Sequence, residues 1–227
     1  TAGALAVSLV ETVVGTSGTD TVTQLESGAT LSISSVETVV GTTSTADAVK
    51  LMASATLAVS AVESVTGGAS EDVLRLLGGS AQTISLDSVE TIVGTTASGD
   101  VAQLLAGSAD WLVSNVETVI GGAATDVVAM AGAGSLATSR IETVIGTTGT
   151  ADAVTALDTS ASNLAVSAIE SAVGTTAAGD VIRLLAGATI SLSAVETLVG
   201  STAVDVAKLM ASGSLAASAV ETIVGNT

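Results

Sequence analysis

Seventeen carboxylates recur at two fixed positions along this chain of 227 residues. Nine glutamates recur at an interval of about 26 residues, which lies in the range typical of repeat proteins. Each of them has a glycine four positions later: Glu11, Glu37, Glu63, Glu90, Glu117, Glu142, Glu170, Glu196 and Glu221. Eight aspartates each follow such a glutamate by nine or ten positions: Asp20, Asp47, Asp72, Asp100, Asp126, Asp152, Asp180 and Asp205. Carboxylates can bind a hard cation such as Ca²⁺, which takes about six to eight oxygen ligands, or act as general acids or bases.

The composition limits which side chains could act as catalytic nucleophiles or bases. The chain has no His, Cys, Pro, Phe or Tyr and a single Trp. Nucleophiles and bases are therefore limited to carboxylates, Ser, Thr and Lys. Parallel β-helix enzymes that act on polysaccharides interrupt their repeats with unique loops, and no long insertion interrupts this repeat. We predict no catalytic residues and no enzymatic activity; a carbohydrate-active β-helix enzyme is the alternative.

The charge balance excludes two classes of partner. Five basic residues stand against 22 acidic ones, which gives a formal net charge of −17. Such a chain does not bind nucleic acid or an anionic membrane by electrostatic attraction. No stretch approaches about 18 uncharged apolar residues, so we expect no membrane insertion. The charge suits surroundings in which divalent cations screen or bridge carboxylates.

The fixed period predicts the architecture, because repeats of about 20 to 50 residues stack on their neighbours. Apolar residues six and four positions before each glutamate, such as Leu31 and Ile33, alternate with small ones and predict a first strand. The β-branched run around each glutamate predicts a second strand, and its glycine is expected to supply a backbone conformation that other residues resist. A third segment follows each aspartate.

The third segment has two interpretations. Val49 and Leu51 flank Lys50 in the in-out-in order of a strand, whereas Val73, Leu76 and Leu77 also fit the spacing of a short helix. Glycine and serine follow within a few positions, which favours a strand. The sequence thus predicts an all-β fold, a single right-handed β-solenoid (parallel β-helix) domain over residues 1–227. We expect about eight to nine coils, each of about 26 residues with three short strands.

Stacked coils of this kind place the nine glutamates in one column and the eight aspartates in another. We expect the glutamates to point into solvent. Thr1 lies inside a repeat, so we expect the chain to be a processed product or a part of a longer chain.

The turn before each aspartate carries a family resemblance. The segment Gly15-Thr16-Ser17-Gly18-Thr19-Asp20-Thr21-Val22-Thr23 resembles the G-G-x-G-x-D-x-U-x nonapeptide of the repeats-in-toxin family, and Gly67-Gly68 and Gly121-Gly122 keep its first two glycines. The resemblance covers about a third of each coil. In that family the aspartate and turn carbonyls hold Ca²⁺ between coils, so the resemblance implies that the eight aspartates are calcium ligands and that the protein is exported to a bacterial surface or matrix.

These features together predict a secreted or cell-surface structural protein. Its partner is expected to be another copy of itself, added head to tail, because solenoids without polar caps have open strand edges. The alternative is a passive stalk or spacer of a large secreted adhesin.

Overall fold

The structure is a computed structural model that describes residues 2–43, 46–105, 110–149, 151–211 and 213–226. All the regular elements in these ranges are β-strands. None of the described residues forms a helix long and apolar enough to cross a bilayer.

Eight repeats contribute three strands each, as predicted, and the last contributes two within the described residues. The first strands precede the glutamates: β1 Gly3–Val7, β4 Thr30–Ser34, β7 Thr56–Ser60, β10 Thr83–Asp87, β13 Asp110–Ser114, β16 Ser135–Ser139, β19 Asn163–Ser167, β22 Thr189–Ser193 and β25 Ala216–Ser218. The second strands follow the glutamates: β2 Thr12–Val14, β5 Thr38–Val40, β8 Ser64–Thr66, β11 Thr91–Val93, β14 Thr118–Ile120, β17 Thr143–Ile145, β20 Ser171–Val173, β23 Thr197–Val199 and β26 Thr222–Val224.

The third strands begin at or next to the aspartates. They are β3 Asp20–Gln24, β6 Ala48–Leu51, β9 Val73–Leu76, β12 Val101–Leu104, β15 Val127–Met130, β18 Ala153–Ala156, β21 Val181–Leu184 and β24 Val206–Leu209. The helical alternative for this segment is therefore wrong. The strand Val73–Leu76 buries Leu74 and Leu76 and exposes Arg75 between them, which is the period of a strand.

The chain forms two compact units, residues 1–116 and 117–227. In the first unit, the strands pair in parallel as two sheets, in the order β1-β3-β5-β7-β9-β11-β13 and β2-β4-β6-β8-β10-β12. In the second unit the orders are β14-β16-β18-β20-β22-β24-β26 and β15-β17-β19-β21-β23-β25. Consecutive strands therefore alternate between two sheets, and each unit is a β-solenoid. Along each sheet, the three kinds of strand follow one another in the repeating order first, third, second, as in β1, β3 and β5.

This pairing corrects the predicted winding. A turn contains one strand from each sheet, so the three strands of a repeat make one and a half turns rather than one. Thr21 pairs with Thr38 in the next turn, and Thr38 pairs with Ala58 in the turn after that. A strand therefore pairs before a full repeat has passed. The partner of Thr38 is Ala58, whereas its equivalent in the next repeat is Ser64. Counted over both units, the chain makes about 12 turns rather than eight or nine.

The winding also corrects the single column of glutamates. Glu37 precedes β5 in one sheet, and Glu63 precedes β8 in the other. In the second unit, Glu142 and Glu170 alternate between the sheets in the same way. Within each unit, glutamates therefore lie in two rows at opposite edges of the solenoid. Along one edge they recur every third turn, about 14 Å apart at the usual strand spacing.

In each unit the core lies between the two sheets and is almost entirely aliphatic, because the chain has no Phe or Tyr and a single Trp. Leu31, Leu57 and Ile84, six positions before their glutamates, have no exposed surface, and Val39 and Ile92 of the second strands are equally buried. Trp111 replaces the leucine in one repeat and is 3 % exposed, so it serves as a core side chain. Burial of each such side chain stabilises the fold by about 1.5–3 kcal/mol.

The constant spacing of the glycines has a different cause from the one predicted. The residue two positions before every glutamate has a left-handed backbone, with φ between 51° and 56°, whereas the glycine four positions after the glutamate has none of the positive φ values. The glycine is needed because another chain segment lies against it. A Cβ at Gly94 would lie 1.8 Å from the carbonyl oxygen of Asn115, the left-handed residue of the next repeat.

Candidate functional site

The eight aspartates are the buried polar residues that recur in the turns between a second and a third strand. Asp47, Asp72, Asp100, Asp126, Asp152 and Asp205 have no exposed surface, Asp180 is 1 % exposed and Asp20 is 7 % exposed. A buried carboxylate is costly unless hydrogen bonds compensate for the lost water. The partners of these carboxylates therefore decide what the site does.

One carboxylate oxygen closes the turn that contains the aspartate. Oδ2 of Asp180 accepts hydrogen bonds from the backbone N–H of Thr175 at 2.6 Å and from its hydroxyl at 2.9 Å. Thr147 makes the same pair of bonds to Asp152, at 2.7 Å each. Glycine replaces threonine at Gly68, which donates only its N–H to Asp72. The threonine that directly follows the glycine in these turns therefore serves to bind the aspartate.

The other carboxylate oxygen reaches the preceding turn of the solenoid. Oδ1 of Asp180 accepts the backbone N–H of Ser162 at 2.6 Å, and Oδ1 of Asp72 accepts that of Ala55 at 2.7 Å. The donors lie in the loop between a third and a first strand, beside the start of the first strand. The same bond is made from Gly28 to Asp47, Gln82 to Asp100, Gly134 to Asp152 and Ala188 to Asp205.

The backbone N–H of the aspartate reaches the following turn, where the glutamate accepts it. Oε2 of Glu196 accepts the N–H of Asp180 at 2.9 Å, and that of Glu90 accepts the N–H of Asp72 at 2.7 Å. Asp20, Asp47, Asp126, Asp152 and Asp205 donate in the same way to Glu37, Glu63, Glu142, Glu170 and Glu221. The glutamates therefore do not simply point into solvent, as expected, but act as backbone acceptors.

We call each such set an aspartate clasp: the aspartate, the donor that closes its turn, the loop donor of the preceding turn and the glutamate of the following turn. One clasp joins three successive turns of a solenoid. Clasps alternate between the two edges, because third strands alternate between the two sheets. Hydrogen bonds to a charged group contribute about 1.5–3 kcal/mol each, so the clasps are a large local contribution to stability.

Hydrogen bonds lower the pKa of two of these aspartates, Asp20 and Asp152. The N–H and hydroxyl of Thr16 lower the pKa of Asp20. Burial raises the pKa of Asp152, but the hydroxyl and N–H of Thr147 and the N–H of Gly134 outweigh it, so its pKa is lowered overall. In both residues, N–H and hydroxyl donors to the carboxylate oxygens stabilise the charged form.

The predicted calcium ligands are placed one per clasp rather than together. Among the described residues, no three acidic side chains converge on a point where a metal ion could be held. A cation at one clasp would have to displace N–H donors from the aspartate or recruit turn carbonyls beside it. Calcium binding by the eight aspartates stays a prediction, and a role in joining turns is the one their contacts describe.

Comparisons with known proteins carry no functional information for this chain. No protein-family model, curated protein or solved structure matches it. The resemblance to the repeats-in-toxin nonapeptide therefore stays a resemblance of the turn sequence. The geometry of the clasps is the basis for a functional proposal.

Sequence reasoning found the aspartates and glutamates but missed the loop donors of the clasps and the left-handed corners that precede the glutamates. The loop donors, such as Ala55 and Ser162, act through the backbone and have no common side chain that could have marked them. The left-handed corners are occupied by Leu, Ser, Ala, Asn and Arg, so no residue type marks them either.

Proposed function

We propose that this protein is a structural repeat protein that assembles outside the cell into a surface layer, matrix or fibre by stacking its β-solenoid ends. One observation carries the proposal. The outermost described strands leave exposed the apolar side chains that interior turns bury. Leu5 of β1 is 51 % exposed and Ile223 of β26 is 47 % exposed, whereas their counterparts Leu31 and Val39 have no exposed surface.

The unpaired sides of these strands combine apolar side chains with free backbone groups. Open strand edges of this kind pair with other strands unless charges, proline or a cap block them. The chain has no proline, and the described residues of β1 and β26 carry no charged side chain. A contact between one end and the other end of a second copy does not close on itself and therefore produces fibres.

The clasps suit a load-bearing role. The clasps of Asp72 and Asp180 each hold three turns through backbone groups, so resistance to unstacking is distributed along each unit and does not depend on one core. Stability in such arrays is a sum of repeat and nearest-neighbour contributions. A secreted fibre or matrix benefits from this arrangement because the loss of one repeat directly removes only its contacts with the neighbouring turns.

A substitution that places a charge on an edge strand tests the proposed assembly. Leu5→Lys places a cation on the inner face of β1, at the edge where we expect a second copy. Ser85→Lys is the matched control, since Ser85 faces outward from β10 between the uncharged Ser64 and Gln103. Light scattering and electron microscopy at high protein concentration should show fibres for the natural chain and the control, and shorter or no fibres for Leu5→Lys. Monomers of the natural chain at every concentration would contradict the proposal.

The same open strands favour a second candidate, the stalk or spacer of a large secreted adhesin. In that case further turns of the same polypeptide, rather than a second copy, cover β1 and β26. Residues encoded on either side of this stretch distinguish the two: continued repeats support the spacer, and assembly of this chain alone supports the fibre.

Calcium is tested in the same samples. A melting temperature that falls when a chelator replaces calcium would support the predicted aspartate ligands. An equal melting temperature in both buffers would mean that the aspartates serve backbone donors alone.

A further inference from the structure

One sheet face of the first unit, residues 1–116, carries a charge pattern that is complementary to itself. The face is formed by β4, β6, β8, β10 and β12, which are neighbours in one sheet. The side chains of these strands that point away from the core are Ser, Thr, Ala, Val and Gln at every position but two. The two exceptions are Lys50, which is exposed, and Asp87, which is half-buried.

The strand register places both charges in one column. Lys50 pairs with Thr66 of the next turn, and Thr66 pairs with Asp87 of the turn after that. The backbones of Lys50 and Asp87 are therefore two strand spacings apart, about 10 Å, with Thr66 midway between them. Within the described part of the chain, the Asp87 carboxylate is bonded only to Ser88 and Lys50 makes no ion pair. Both charges are therefore available to a partner.

We propose that this face binds the same face of a second copy through a two-fold axis that lies parallel to β8, in front of Thr66. Such an axis reverses the direction of the second solenoid. It brings Lys50 of each copy against Asp87 of the other and places the two Thr66 side chains opposite each other. The contact is isologous, so it closes at two copies. Two opposite-charge pairs fix its register and orientation.

The rest of the face lets the two sheets approach closely. Ala48, Ser64 and Ser85 form the neighbouring column in the same register. The proposed axis places Ala48 against Ser85 and Ser64 against itself, so no large side chain separates the sheets at these positions. Sheets with such short side chains can pack about 10 Å apart, a distance that a facing lysine and aspartate can bridge. At an ionic strength of about 0.15 M, repulsion between more distant carboxylates of the two copies is largely screened.

The opposite face of the same unit lacks this pattern. Arg75 of β9 is exposed there, at the same position in its strand as Lys50 in β6. Its column runs from Thr38 to Ser114 and contains no carboxylate. Arg75 is therefore a matched control for Lys50. The inference goes beyond the proposed assembly, because a contact between the sides of two solenoids does not depend on their ends.

Charge reversal tests the contact. Lys50→Glu brings two carboxylates together at each site, and Asp87→Lys brings two ammonium groups together. We expect each to weaken self-association of the chain by about tenfold or more. The face is small, about 24 Å by 15 Å, so sedimentation equilibrium is measured up to about 1 mM protein. Arg75→Glu makes the same change of charge on the other face and should associate as the natural chain does.

A mixture of the two weakened variants tests the two-fold axis. In a mixed pair, the reversed charge of one chain faces the reversed charge of the other, and the unchanged Asp87 and Lys50 face each other. Mixing Lys50→Glu with Asp87→Lys should therefore restore association. The double variant should associate with itself but not with the natural chain. A natural chain that does not associate through its sides, single variants that associate as tightly as it does, or a mixture no tighter than its components would overturn the inference.

Electron microscopy of the same samples separates this contact from the proposed end stacking. If both contacts form, the natural chain gives paired or bundled fibres, and Lys50→Glu gives single fibres. Closed dimers without fibres would support the side contact and contradict the fibre. Single fibres of equal width for the natural chain and Lys50→Glu would support the fibre and overturn the side contact.

Discussion

The interior turns and the C-terminal turn, residues 213–226, have the same residue types at the same positions, but the apolar side chains are buried only in the interior turns. Val39 and Ile223 occupy the same place in their second strands and are 0 % and 47 % exposed. Gly200 lies against a carbonyl, and Gly225 faces open space. The comparison shows that neither burial nor the need for glycine is a property of the repeat itself. Both arise when another turn is stacked on it.

The largest expected effect is removal of an interior clasp. Asp180→Ala leaves the N–H of Ser162 and both donors of Thr175 without an acceptor, so we expect a loss of about 3–5 kcal/mol in unfolding free energy. Asp87→Ala is the control, because the Asp87 carboxylate accepts a hydrogen bond only from its neighbour Ser88 among the described residues and should change stability by less than about 0.5 kcal/mol. Urea unfolding measures both; equal effects would contradict the role of the clasp.

The glycines test the comparison of turns most simply. Gly94→Ala introduces a Cβ 1.8 Å from the backbone oxygen of Asn115, which cannot move without disturbing the stack. We expect a loss of about 3 kcal/mol, at the upper end of overpacking effects. Gly225→Ala should be close to neutral. If thermal melts showed that Gly94→Ala is as stable as Gly225→Ala, the close contact between Gly94 and the carbonyl oxygen of Asn115 would be contradicted.

Acid should weaken the clasps. Because the pKa values of Asp20 and Asp152 are lowered by folding, their contribution to stability is complete above the unfolded value of about 3.9 and is lost as pH falls through the folded values. Unfolding free energy should therefore fall steeply below about pH 4, and less steeply in Asp152→Asn. Urea titrations from pH 7 to pH 2 provide the measurement. Stability that kept rising below pH 4 would show that relief of charge repulsion dominates.

The left-handed corners should give the smallest effect, and one of opposite sign. Ala168 has a φ of 52°, which costs a residue with a Cβ about 1 kcal/mol, so Ala168→Gly should raise the unfolding free energy by about that amount. Ala165→Gly, three positions earlier in β19, should instead lower it by about 0.5–1 kcal/mol because glycine weakens a strand. The same sign for both substitutions would contradict the corner geometry.

The strands were predictable because they depend on local alternation. Leu31 and Ile33, or Leu74 and Leu76, alternate with outward residues whatever lies above them. The winding was not predictable from the same pattern, since three strands per repeat are compatible with one turn of three sheets or with one and a half turns of two. The periodicity predicts how many strands a repeat contains. The backbone geometry of the corners determines how many strands form one turn, and the periodicity does not reveal it.

The candidate site was predictable in its residues but not in its contacts. The spacing of Asp72 and Glu90 marked both as special, and the nonapeptide resemblance predicted cations around the aspartates. Their nearest partners are instead backbone groups such as the N–H of Ala55, which belongs to the turn before that of Asp72. Partners of this kind lie in other turns, so they become visible only once the stacking is known.

The central claim is that one repeat makes one and a half turns, and spin labels test it most directly. The chain has no cysteine, so Thr38→Cys can be paired with Ala58→Cys or with Ser64→Cys without background labelling. Thr38 pairs with Ala58 in one sheet, whereas Ser64, its equivalent in the next repeat, lies in the other sheet. We predict strong dipolar broadening for the labels at Thr38 and Ala58, because their backbones lie on paired strands about 5 Å apart. We predict none for Thr38 with Ser64, because their sheets are about 10 Å apart and the two labels lie on opposite outer faces. Broadening for Thr38 with Ser64 and not with Ala58 would contradict the account.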